Sequence, residues 1–115
     1  MNALGIYGAR VTNDRVIEAW QRGQSARNHR YSLSSISHPS GRTELFSYDL
    51  KIGERTPAGV MVIADFTAPA KSFRSMTTSK HVNLAKYKTG NPVIMHPRVW
   101  EHSPMRESDG SEKPF

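Results

Sequence analysis

Between Tyr31 and Phe66 the chain carries runs of β-type sequence separated by turn residues, and this pattern limits its fold more than any other feature. Tyr31 to Ile36 alternates large and small side chains, and His38-Pro39-Ser40-Gly41 is turn chemistry. Glu44 to Ile52 then has Phe46, Tyr48, Leu50 and Ile52 at every second position. Successive side chains of a strand point to opposite faces, so this spacing predicts one apolar face. Pro57 and the glycines at 53 and 59 break the chain before Val60 to Phe66, whose β-branched apolar residues suit a more deeply buried strand. The expected product is a hairpin extended into an antiparallel meander.

Helical signals flank the meander. Thr12, Asn13 and Asp14 offer capping oxygens, and Val16, Ile17, Ala19 and Trp20 follow at helical spacing before Gly23. Thr77, Thr78 and Ser79 offer caps for a second helix from Lys80 to about Lys88, closed by Thr89-Gly90. Val93 to Met95 reads as a short strand that Pro92 and Pro97 confine to a sheet edge, because proline cannot donate to a ladder. The expected fold is α+β: a small antiparallel sheet of three or four strands with two short helices, one domain over residues 1–101 and a mobile tail over 102–115. Trp20, Leu45 or Phe46, Tyr48, Val60, Val62, Ile63 and Val82 are the expected core.

The 115 residues include no cysteine, which removes disulfide scaffolds, thiolate metal sites and thiol nucleophiles. Met1 to Arg10 lacks a signal-peptide pattern and no apolar run approaches membrane-spanning length, so the expected location is cytoplasmic. The net charge of +6 is concentrated in one interval. Between Asp65 and Glu101 there is no acidic residue, whereas Lys71, Arg74, Lys80, Lys86, Lys88 and Arg98 all lie there. Such a balance favours nucleic acid, an anionic surface or an acidic protein as partner.

The most distinctive segment, Ser72 to Asn83, places hydroxyls before a basic helix start that contains His81. Read structurally, Thr78 or Ser79 caps the helix, Met76 and Val82 pack inward, and His81 forms a hydrogen bond or faces water. Read as a site, free N–H groups, hydroxyls, Arg74 and Lys80 converge on a phosphate. A catalytic arrangement would need a hydroxyl beside His81 or His96, with Asp65 orienting the base, and nothing in the spacing demands one. His96 and His102 fit neither a strand pair nor a helical pair of metal ligands. No cofactor, metal or catalytic residue is therefore assigned. Arg22, Arg27 and Arg30 with Asn28, His29 and Tyr31 form a second basic cluster, in which arginine can fork onto phosphate and tyrosine can stack on a base.

Phe46-Ser47-Tyr48 and Thr77-Thr78-Ser79-Lys80-His81-Val82-Asn83 resemble a family of short uncharacterised bacteriophage proteins, over about Val11 to Lys88. The resemblance implies a viral accessory role inside a host cell and carries no activity or ligand with it. The expected function is binding without catalysis, inhibiting a host macromolecular complex such as a defence nucleoprotein through a basic surface. Arg74, Thr78, Ser79, Lys80, His81, Lys86, Lys88, Arg27 and Arg30 are the candidate contacts. Direct, sequence-independent binding of DNA or RNA is the alternative, and a small phosphodiester-directed enzyme using His81 or His96 is a further one.

Overall fold

A computed structural model describes residues 9–67 and 75–106 of the chain. Strands β1 (Ala9–Arg10) and β2 (Ala26–Arg27) are joined through helix α1 (Asn13–Gln21). Strands β3 (Leu33–Ser37), β4 (Thr43–Ser47), β5 (Leu50–Arg55) and β6 (Met61–Ala64) follow, then helix α2 (Met76–Lys88), strand β7 (Val93–Met95), helix α3 (Pro97–Glu101) and a 3-10 turn at Pro104–Arg106. Among the described residues the strands form one seven-stranded sheet in sequence order. From β2 to β6 the pairing is antiparallel, while β1–β2 and β6–β7 are parallel.

The expected meander is present, with a parallel crossover unit added at each end. β1 and β6 run in the same direction, and both crossovers step the same way across the sheet. The strong preference for right-handed crossovers therefore sends α1 and α2 to the same face. They meet there: α1 packs on β2, β3, β4 and α2, and α2 packs on β4 and β6. The Gln21 amide donates to the Lys88 carbonyl at 3.1 Å and to Thr89 Oγ1 at 2.9 Å, joining the two helices.

The class is α+β as expected, but three or four strands is an undercount. β1 and β2 have only two residues each, too few to show a period. The run from Glu44 to Ile52 is two strands: Ser47 pairs with Leu50 across a two-residue turn at Tyr48-Asp49, where Tyr48 has φ 55°. A register shift then follows, with Leu45 opposite Gly53 but Phe46 opposite Lys51, so Ile52 is an extra residue on β5. The turn and the bulge together break the single apolar face expected there. Tyr48 is accordingly 51% exposed, and Val60, in the turn before β6, is 46% exposed. Neither is core.

Trp20, Val16 and Ile17 of α1, Leu45, Val62 and Ile63 of the sheet, and Val82 and Ala85 of α2 are buried together. Trp20 Nε1 donates to the Thr43 carbonyl at 3.0 Å, so its polar edge is satisfied inside the core. Gly53 makes room for this ring, since a Cβ there would lie 3.1 Å from both Trp20 Cζ2 and the Val62 carbonyl oxygen. Residues 102–106, expected to begin a loose tail, instead continue from α3 into the 3-10 turn, where Met105 packs against the core. The rest of the tail lies outside the described residues.

Candidate functional site

The second helix starts earlier than its sequence suggests. Ser75 is its N-cap, accepting from Thr78 N–H at 3.0 Å, so Met76 to Ser79 belong to the first turn and neither Thr78 nor Ser79 is the cap. Thr78 instead points into the protein, where its Oγ1 lies 2.9 Å from Ser47 Oγ. Ser47 Oγ is also 2.8 Å from His81 Nδ1. The three side chains are buried, and burial lowers the His81 pKa from 6.5 to about 4. His81 is thus a neutral, enclosed imidazole at pH 7. The contact has the hydroxyl-to-imidazole geometry of an activated nucleophile. A nearly sealed base of such low basicity suits holding α2 to β4 better than turnover.

The candidate lysines separate into two groups. Lys86 bonds Asp65 at 3.0 Å, and Lys88 bonds Glu18 at 3.1 Å with Asp14 at 3.9 Å, so both are engaged inside the chain. The Lys88 hydrogen bond holds the Glu18 carboxyl below its ordinary pKa despite some opposition from desolvation. Lys80 points outward. With Met76, Asn83 and Tyr87 it repeats at i, i+4, i+7 and i+11, the spacing of one helix face. Met76, expected to pack inward, is instead 69% exposed because the earlier cap at Ser75 puts it on the outer side of the first turn; Tyr87 is 87% exposed, and Lys80 and Asn83 are exposed between them. Arg74 lies outside the described residues.

On the sheet face away from α1 and α2, Glu44, Lys51 and Glu54 form a buried ionic cluster that sequence reasoning missed. Lys51 Nζ is 3.0 Å from Glu44 Oε2 and 2.7 Å from Glu54 Oε1. His38 reaches Glu44 at 2.6 Å and Arg42 reaches Glu54. The available signal was Glu44 itself, which stands at an inward position next to Leu45 and Phe46. Beside Lys51 a cavity of about 310 Å³ is lined by Phe46, Phe66, Trp100, Asp49 and Arg106 among others. Its acids and bases are mixed, so its lining does not select a charged ligand.

The second basic cluster folds into a turn. The Arg27 guanidinium lies 3.8 Å from the Tyr31 ring centroid and donates to the Asn28 carbonyl at 3.2 Å. Arg30 and His29 are exposed beside it. His96 accepts from Arg98 N–H at 3.1 Å as the cap of α3, and His102 closes that helix, so each has a local role. Among the described residues no three His, Asp or Glu side chains are arranged to hold a metal ion, and no helix is long and apolar enough to cross a membrane.

Comparison with family models, curated proteins and solved structures returns no match.

Proposed function

We propose that the chain is a phage-type accessory protein that acts by binding a host protein or nucleoprotein complex, with the outward face of α2 as its contact surface. The observation that carries this reading is the stripe of Met76, Lys80, Asn83 and Tyr87, which leaves a thioether and an aromatic ring in solvent on either side of a lysine. Methionine and tyrosine are enriched at protein interfaces because they supply large contact areas. Thr78 and His81 contribute from behind, since both are buried, hold the helix to β4 and so aim the stripe, while half-buried Ser79 lies beside it.

The internal pairing of Lys86 and Lys88 favours a protein contact over tracking a phosphate backbone along this helix. Two of its cations are already neutralised by Asp65, Glu18 and Asp14, leaving Lys80 as the charge to match an acidic patch. A bead-immobilised protein incubated with nuclease-treated host lysate tests the reading, with Lys80→Glu and Tyr87→Ala variants alongside. The expected result is one defined complex, retained after nuclease and lost in both variants while their thermal unfolding is unchanged. Equal recovery by wild type and variants would remove α2 as the contact.

A further inference from the structure

Tyrosine is a costly residue at positive φ, where its Cβ crowds the following carbonyl, and glycine or asparagine is the ordinary occupant. Tyr31 has φ 58° and Tyr48 has φ 55°, each at the tip of a turn. The two tips are neighbours. Tyr48 N–H donates to the Ser32 carbonyl at 2.9 Å, and Leu33 pairs with Ser47, so the turns entering β3 and leaving β4 share one end of the sheet. Both rings are about half exposed, at 50% and 51%, so core burial accounts for only part of the side chains retained there.

The first turn is also held from several directions. Asn28 Oδ1 accepts from Ser32 N–H at 2.8 Å and Leu33 N–H at 3.3 Å, and its Nδ2 donates to Ser32 Oγ at 2.7 Å and Asn13 Oδ1 at 2.8 Å. Tyr31 N–H donates to the Asn28 carbonyl at 3.2 Å. Strain that persists because its surroundings over-determine it is a mark of functional positions. Here the result is a rigid, partly exposed aromatic ring.

The geometry points to a second binding site at this end of the sheet, where Tyr31 and Tyr48 stack unpaired bases of a single-stranded nucleic acid and Arg27 and Arg30 meet its phosphates. Arg27 lies over the Tyr31 ring, and a base stacks on the part of the ring that solvent reaches. Every base has a π-face, and stacking on it requires a base free of its own duplex. Exposed Asp49, next to Tyr48, repels phosphate, which makes the contact led by stacking rather than by charge. With few phosphates held its salt dependence is shallow, since each contributes about 0.7 log unit per decade. The site is distinct from the α2 stripe and stands whether or not that stripe binds a host complex.

Fluorescence anisotropy with the purified protein tests it, using labelled oligodeoxythymidylate, labelled oligouridylate and a labelled DNA duplex as probes. Glycine is the informative substitution, because it removes the ring and relieves the strained φ together. Tyr31→Gly and Tyr48→Gly are each expected to weaken single-strand binding about tenfold, with the melting temperature unchanged or raised. Tyr31→Phe and Tyr48→Phe keep the ring and are expected to keep the affinity. Binding to either single strand supports the site, and the stronger of the two identifies DNA or RNA as its source. Undetectable single-strand binding by wild type, equal affinity for the duplex, undiminished binding by the glycine variants, or a fall in their melting temperature would each overturn it.

Discussion

The two faces of α2 use similar residue types for opposite ends. Its inward face turns Thr78 and His81 toward Ser47 and buries Val82 and Ala85, whereas its outward face leaves Met76, Lys80, Asn83 and Tyr87 in solvent. One helix therefore carries a polar lock on its inner side and the proposed contact surface on its outer side. A polar residue in a conspicuous motif can be there to orient a surface without belonging to it. Substitutions on the inward face should act on folding, and those on the outward face on binding alone.

The largest effect expected is that of pH on the lock. The His81 pKa is lowered in the folded protein from 6.5 to about 4, so its unfolded form binds the proton more readily. Its contribution is then complete above pH 6.5 and is lost as pH falls toward 4, amounting to roughly 3 kcal/mol in full. Urea unfolding across that interval should show the decline in wild type and a flatter acid limb in His81→Leu. An identical limb in the variant would move the acid sensitivity to other groups.

A smaller effect sharpens the contrast between the lysines. Lys86→Glu places a carboxylate beside Asp65 and should lower stability by about 1 kcal/mol, while Lys80→Glu on the outward face should stay within about 0.5 kcal/mol of wild type. Chemical denaturation of the two variants checks this. Equal losses would mean that Lys80 has a structural partner and that both faces of α2 contribute to the fold.

The smallest effect is expected from Tyr87→Ala, about 0.5 kcal/mol or less, because its ring is mostly in water already. A clear drop in melting temperature would place the ring in the fold and take it out of the proposed interface. Gly53→Ala offers a reference for a true packing defect: with Trp20 and the Val62 carbonyl each 3.1 Å from the new methyl, a loss of about 1 to 3 kcal/mol is expected.

Much of this architecture was legible in residue order alone. α1 is capped by Thr12 and buries Trp20, β6 occupies the β-branched run, and β7 sits at an edge between its prolines, because each rests on local propensity and short-range hydrogen bonding. The Glu44 to Ile52 run misled for a physical reason. Alternation continues across a two-residue turn as readily as along a strand, and only pairing with β3 and β5 reveals the reversal at Tyr48 and the bulge at Ile52. Likewise, the periodicity of α2 is the same wherever its axis points.

By itself, then, the sequence determined the α+β class, the meander and the approximate place of both principal helices, since these follow from spacing and capping within a few residues. Tertiary structure alone decided which hydroxyls are buried, which lysines are neutralised and which tyrosines reach solvent. Those outcomes depend on groups far apart in the chain: Ser47 meeting His81, Glu18 meeting Lys88, and the turn of Tyr31 meeting that of Tyr48. No local pattern encodes such meetings, because each is set by the order and handedness in which the strands and helices pack.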